Sequence, residues 1–273
     1  MMKRMIAVDE EKCIHCGMCL RDCVASCLEF DDQKIPRYIK DGEKMCLACQ
    51  HCLAVCPTGA FSFGGLDPAA SAPVTTVDSA AMLGLIKSRR SIRQYKEDDV
   101  PTEKIEKLKD MLAYPPTGVN APSLRFSIIA TRQKMDELRK ITYDCLESIP
   151  ADSPLAFLKD MADKSLQAGR DLVYRGAPAL VIVSVDEKKA AETCKNADPI
   201  IALSYLELYA ASLGLGTVWD GFAVALAQHF PKIEAQFHIP KHCQLGFVMA
   251  LGIPAVAYAR TPQLKTDNVE IIK

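Results

Sequence analysis

The stretch CIHCGMCLRDC, residues 13–23, returns as CLACQHCLAVC, residues 46–56. Both runs step as C-x2-C-x2-C-x3-C: Cys13, Cys16, Cys19 and Cys23, then Cys46, Cys49, Cys52 and Cys56. An offset of 33 carries every cysteine of the first run onto the second, and CVASCLEF then overlays CPTGAFSF. Two copies of one spacing mark an internal duplication. Three thiolates at two-residue gaps wrap three corners of a metal–sulfur cube from one tight turn, and the fourth ligand has to come from elsewhere. Zinc is the competing reading. Structural zinc sites pair two short C-x2-C knuckles, which four evenly stepped cysteines suit poorly.

The chain has 273 residues, room for one large or two modest domains. Apolar residues make up 49%, charged residues 25%, and the formal net charge is −1. No bulk charge favours nucleic acid or an anionic membrane. The residues before Asp9 hold no apolar core of signal-peptide length. ALVIVSV is too short to span a bilayer, and PIIALSYLELYAASLGLG carries Ser204 and Glu207 in its middle. The expectation is a soluble, cytoplasmic protein. Of 12 cysteines, only Cys145, Cys194 and Cys243 lie beyond Cys56. That clustering suits metal in a reducing compartment better than a secreted disulfide scaffold.

The opening sixty-odd residues resemble the bacterial two-cluster ferredoxins, in which the fourth cysteine of each run ligates the other run's cluster. The resemblance implies two [4Fe–4S] clusters. One would take Cys13, Cys16, Cys19 and Cys56, the other Cys46, Cys49, Cys52 and Cys23. Cys27 is spare; its repeat counterpart is Ala60, so it reads as a small buried hydrophobe. Val24 follows Cys23 where Pro57 follows Cys56, so a shift that puts Cys27 in place of Cys23 stays open. His15 reads as a partly exposed neighbour. GGLDPAASAPVTTVD, residues 64–78, reads as a connector. The expected organisation is a ferredoxin-like domain over 1–63, a linker over 64–78 and a body over 79–273.

Asp78 reads as the N-cap of a first body helix, and Ile105, Leu108 and Leu112 place a second from Thr102 to Ala113. Helices are predicted over Gln133–Ile141, Leu155–Arg170, Pro199–Ser212 (buried on all sides) and Ala223–Phe237, broken at Pro231. FSIIA, ALVIVSV, GTVW and CQLGFVMALG read as strands, with NVEII as an edge strand in the tail. No G-x-G-x-x-G or Walker pattern occurs, so a Rossmann domain or phosphate loop is not expected.

Four segments give the body its resemblance to the FMN-dependent nitroreductases, in order: SRRSIRQY, PPTGVNAPSLRF, LGLGTVWDGF and LGIPAVAYART, with GAPALVIV a weaker fifth. The resemblance implies an α+β chain: the small two-cluster domain, then a three-layer α/β domain with a mixed sheet. It implies bound FMN and assigns roles. Arg89 and Ser91 would hold the phosphate, Arg90 would sit near the ribityl chain, and Arg93 by the N1/O2 edge, where a fixed cation stabilises the charge of reduction. Pro116, Thr117 and Asn120 match a loop that reaches the flavin across a dimer interface. Asp220 and Gly221, after Trp219, match a turn whose backbone N–H approaches N5. Arg260 matches a second phosphate cation. Many relatives have Gln-Pro-Trp where this chain has Pro122, Ser123 and Leu124, and a lysine where it has Ala257.

Each residue also has a plainer reading. The arginines suit a solvated helix end, Asn120 and Asp220–Gly221 are ordinary turn residues, and a sole tryptophan is most often core. Set together, the segments imply an oxidoreductase in which clusters pass single electrons to FMN, which reduces a small, planar, electron-poor organic molecule. The flavin is then the reactive group, and no catalytic side chain is expected. Reduced ferredoxin or NAD(P)H would be the donor, and the family's homodimer is implied. The other class of reading is an electron-transfer relay that feeds a partner protein and has no organic substrate of its own.

Overall fold

The computed structural model describes residues 4–273. They form two compact units. One runs to Thr76 and takes in Val119–Ala121; the other holds Val77–Gly118 and Pro122–Lys273.

The first unit contains β1 (Ile6–Val8), α1 (Met18–Arg21), β2 (Leu28–Phe30), β3 (Pro36–Tyr38), α2 (Gly42–Met45), α3 (His51–Ala54) and β4 (Phe61–Phe63). β1 pairs antiparallel with β4, and β2 with β3. The duplication is written in the backbone. The offset of 33 carries α1 onto α3 and β2 onto β4. It also matches left-handed residues: His15 (φ 53°) with Ala48 (φ 55°), Gly17 (φ 69°) with Gln50 (φ 61°), and Ser26 (φ 47°) with Gly59 (φ 64°). Positive φ is costly for residues with a Cβ, so its recurrence in both copies, at His15 and Ala48 without glycine in either, marks one tight loop shape used twice. Cys27, Cys46, Leu53 and Phe63 form the small core, with Ile6, Leu28 and Tyr38 against it. Residues 64–78 carry one 3-10 turn, Pro68–Ala70, whose Asp67 cap accepts from the Ala69 N–H.

The second unit contains α4 (Ser79–Ser88), α5 (Thr102–Met111), β5 (Leu124–Ile129), α6 (Arg132–Glu147), α7 (Ala156–Gln167), β6 (Ala179–Val185), α8 (Asp198–Ser212), β7 (Gly216–Trp219), α9 (Gly221–His229), α10 (Pro231–Glu234) and β8 (Gln244–Gly252). Asp78 caps α4 through the Ala81 N–H at 2.8 Å. The sheet runs β5-β6-β8-β7 with every neighbouring pair antiparallel, and one isolated parallel bridge, outside the strands, joins Ser91 to Thr217.

Every residue of β6 is buried, and its side chains alternate between two cores. Leu180 and Ile182 meet Met135 and Leu138 of α6, Leu158 of α7 and Leu226 of α9. Ala179, Val181 and Val183 meet Leu108 of α5 and Leu203, Leu206 and Ala210 of α8. Helices therefore cover both faces, giving three layers.

Three expectations change. α6 continues past Ile141 to Glu147, because Thr142, Cys145 and Leu146 extend its buried stripe. α8 is not buried on all sides: Ile200, Tyr205 and Tyr209 are exposed. NVEII makes no strand, and residues 268–272 are exposed. Among the described residues no helix is long and apolar enough to cross a membrane.

Candidate functional site

In the first unit the thiols line two spaces. Cys13, Cys16, Cys19 and Cys56 line one. Cys23, Cys27, Cys46, Cys49 and Cys52 line the other. The last cysteine of each run thus faces the other run's first three. Among the described residues no three His, Cys, Asp or Glu side chains converge where one ion would be held. The thiols ring a volume, which suits a multinuclear cluster rather than a single tetrahedral ion. Local N–H donors aim the sulfurs; the Ala48 N–H donates to Cys46 Sγ at 3.4 Å. Burial pushes the Cys19 thiol up and those of Cys27 and Cys52 to about 12. Metal loading has to remove such protons, so it is coupled to pH. His15 faces the Lys34 carbonyl at 3.1 Å through Nδ1, with Cys13 Sγ 4.0 Å away. Cys145, Cys194 and Cys243 lie in the second unit, outside both spaces.

In the second unit the arginine segment lies along β7. The Ile92 N–H donates to the Thr217 carbonyl at 2.8 Å, and Ser91 bridges Thr217. The chain after β8 joins from the other side: Lys96 N–H donates to Ile253 O and Ala255 N–H to Gln94 O. Three of the singled-out segments, SRRSIRQY, LGLGTVWDGF and LGIPAVAYART, are therefore hydrogen-bonded together. The arginines themselves differ. Arg89 Nη1 pairs with Glu207 Oε1 at 2.9 Å. Arg90 folds back onto the carbonyls of Lys87 and Arg89, closing the end of α4. Arg93 is exposed and donates to the Ser91 carbonyl at 3.3 Å. Arg260 is exposed, beyond the last strand.

β7 delivers Trp219, Asp220 and Gly221. Trp219 packs edge-on to Phe247 with ring centroids 5.2 Å apart. The Asp220 N–H donates to Val248 O, and its Oδ1 caps α9 by accepting from the Ala223 N–H at 2.9 Å. The donor that this turn leaves for a ligand is the Gly221 N–H, at the first position of α9, where no intrahelical acceptor exists. A Cβ at Gly221 would meet nothing within 4 Å. An open face beside a free N–H and a nearby cationic segment fits an anionic cofactor with a flat ring. Burial raises the Asp220 carboxyl to about 7, with Asp171 adding to the rise and Arg175 and backbone N–H groups opposing it. Its Oδ2 has no protein partner, and neither has the buried Tyr95 hydroxyl.

Pro116 and Thr117 precede Gly118, whose N–H donates to both Asp198 oxygens at 3.1 and 3.2 Å. Asn120 lies in the segment that packs with the first unit. Its Nδ2 donates to the carbonyls of Leu47 and Ala48 at 3.0 and 3.1 Å, between Cys46 and Cys49. Sequence reasoning missed Glu207 and Asp198. A buried carboxylate inside an apolar helix such as α8 was the available signal.

The model of the nitroreductase family matches residues 86–253, and that of the 4Fe-4S dicluster domain residues 12–60. A putative NADH dehydrogenase/NAD(P)H nitroreductase of Methanothermobacter thermautotrophicus is 32% identical over 199 residues, 72% of this chain and 90% of that protein. A nitroreductase with bound FMN from Bacteroides fragilis aligns with a TM-score of 0.59 at 23% identity, over 72% of this chain and 100% of that one. Another with bound FMN, from Desulfitobacterium hafniense, gives 0.57 at 18% over the same shares. At such identities these two structures speak for the fold alone. The chain belongs to the nitroreductase family of oxidoreductases, and it carries a 4Fe–4S dicluster domain ahead of the family's own fold.

Proposed function

We propose that the protein is an FMN-dependent oxidoreductase fed by two [4Fe–4S] clusters, reducing a small, planar, electron-poor organic acceptor such as a nitroaromatic, a quinone or an activated alkene. The observation that carries this reading is the junction on β7. There the Ile92 N–H donates to Thr217 O, the chain beyond β8 is hydrogen-bonded to Gln94 and Lys96 of the same segment, and β7 leads directly into the open face of Gly221. Bound there, FMN would supply the chemistry that clusters lack, taking up single electrons and releasing them as a pair from N5. The protein would bind and orient it. Arg89, Ser91 and Arg260 would hold the phosphate, with Arg90 behind them at the helix end. The exposed Arg93 guanidinium would balance the negative charge that reduction leaves at N1. Pro116, Thr117, Trp219, Asp220 and Gly221 would frame the ring, with the Gly221 N–H towards N5. Asn120 fits this set least, since its amide is taken up by the loop of Cys46 and Cys49.

The two groups of thiols support two clusters, held by Cys13, Cys16, Cys19 and Cys56 and by Cys46, Cys49, Cys52 and Cys23. An electron carrier joined to a flavin site favours a reduced ferredoxin over NAD(P)H as donor. A second copy of the chain is the partner best suited to the apolar residues exposed on α4 and α8, Met82, Leu83 and Ile86 with Ile200, Tyr205 and Tyr209. The deciding experiment is anaerobic. Bleaching of the flavin by NADH, NADPH and reduced ferredoxin is followed in parallel, then reoxidation by a quinone or nitroaromatic with no other protein present. Bleaching by ferredoxin and reoxidation by the small acceptor are expected. Reoxidation only when a second protein is added would make the chain a relay. Arg93→Ala should keep the cluster absorbance and make the flavin harder to reduce.

A further inference from the structure

Cys27 and Ala60 occupy the same place in the repeat, and both are buried, 2% and 4% exposed. What they line differs. Ala60 closes the space of Cys13, Cys16, Cys19 and Cys56, whereas Cys27 adds a fifth sulfur to the space of Cys23, Cys46, Cys49 and Cys52. Its Sγ lies 3.4 Å from Cys23 Sγ. The backbone of Cys27 is pinned there. Its carbonyl accepts from the Ile39 N–H at 3.1 Å, and the same oxygen lies 2.6 Å from where a Gly42 Cβ would stand. The turn between the two cysteines is fixed as well, with Ser26 at φ 47° donating its N–H to the Cys23 carbonyl at 2.9 Å. Neither sulfur is an accident of a loose loop. A change of one χ1 between staggered positions moves a cysteine sulfur by about 3 Å, the scale of the gap between them.

We propose that Cys23 and Cys27 are two interchangeable thiols for one coordination corner of the cluster held by Cys46, Cys49 and Cys52. Cys23 fills the corner in the intact chain, and Cys27 fills it when Cys23 is lost. The exchange moves no electron: Cys27 gives up its S–H proton as the iron–sulfur bond forms, and the iron bond to Cys23 is the one replaced. The inference rests on the cluster reading above. The other space has no second thiol at the matching position, because Ala60 stands there.

The test compares the full-length chain with Cys23→Ala, Cys27→Ala and the double variant, purified without oxygen. Iron and acid-labile sulfide are counted per chain, and the spin-resonance spectrum of the dithionite-reduced protein is recorded. The parent and both single variants should hold about eight irons, and the double variant about four. The Cys23→Ala spectrum should differ from the parent's, because one ligand sulfur has a new position. The cluster of Cys13, Cys16, Cys19 and Cys56 is the internal control for folding, and Cys23→Val replaces Cys23→Ala if alanine costs that cluster too. A Cys23 variant as depleted as the double variant would overturn the proposal and leave Cys27 as plain core. Depletion in Cys27→Ala would overturn it from the other side, making Cys27 the sole ligand. Iron absent from the parent itself would defeat the cluster reading instead, so the two failures are separable.

Discussion

Arg89 Nη1 and Glu207 Oε1 are 2.9 Å apart, joined across 118 positions of sequence, with the carboxylate side chain only 10% exposed and the guanidinium 33%. The pair ties the start of the arginine segment to the middle of α8. Glu207 is buried among Leu203, Leu206 and Ala210 of its own helix, so losing its cation leaves a buried charge uncompensated. Arg89→Ala should therefore destabilise by about 2–3 kcal/mol, more than an exposed ion pair would. Glu207→Gln keeps the shape and an acceptor oxygen, and should cost about 1 kcal/mol. The double variant Arg89→Ala/Glu207→Gln should be less destabilised than the sum, by about 1–2 kcal/mol, in urea titrations. Strict additivity would mean that the two side chains do not interact in solution. Any measurement of Arg89 as a phosphate ligand belongs in the Glu207→Gln background, where the stranded carboxylate no longer contributes.

Gly216 opens β7 where Ile92 crosses it. A Cβ there would stand 2.5 Å from Ile92 Cγ1, 2.9 Å from Ile92 Cβ and 2.9 Å from Pro254 Cγ. Two of those atoms belong to chain that is hydrogen-bonded in place, so nothing flexible can swing aside. Gly216→Ala should push the Ser91–Ile92 backbone off Thr217 and cost about 1–3 kcal/mol. It should weaken FMN retention as well, since Ser91 moves with Ile92. Gly221→Ala, with open space at its Cβ, should leave stability within about 1 kcal/mol of the parent. Thermal unfolding of both variants with flavin released and rebound gives the comparison; equal melting points would remove the close approach at Gly216 from the account.

The duplication and the sheet were legible because they are local. Spacing of cysteines and unbroken apolar runs such as ALVIVSV report on the chain at hand, and both units formed their elements where those signals lay. Long-range polar pairing was not legible. Glu207 reads as a polar residue in an apolar segment and Asp198 falls just before the predicted helix; only the fold shows Asp198 receiving the Gly118 N–H and Glu207 receiving Arg89. The motif alone puts Asn120 on a loop that reaches a flavin across a dimer interface, and gives no sign that its side chain donates to carbonyls 72 and 73 positions away. The tail failed for a related reason. NVEII has strand composition, but a strand needs a neighbour's free edge, and residues 268–272 are exposed without one. On α8, composition alone did not distinguish the face that meets the sheet from the one that carries the exposed Ile200, Tyr205 and Tyr209.

Asp220 sets a pH dependence that can be signed. Its carboxyl is raised from the ordinary 3.8 to about 7, chiefly by burial, with Asp171, Arg175 and the Tyr95 hydroxyl as its titratable surroundings. Between those two values the folded chain holds a proton that the unfolded chain has released. Stability therefore falls as pH rises from about 4 to about 7, and this contribution is constant above that, with a slope of at most about 1.4 kcal/mol per unit. Asp220→Asn keeps an oxygen to cap α9 through the Ala223 N–H and removes the ionisation. Its stability relative to the parent should rise through the same window and level off above pH 7. Urea midpoints for the two proteins at pH 5, 6, 7 and 8 provide the reading. A constant difference across the series would mean that Asp220 is ionised in the folded protein throughout, with its unpartnered Oδ2 satisfied by a bound water or cation.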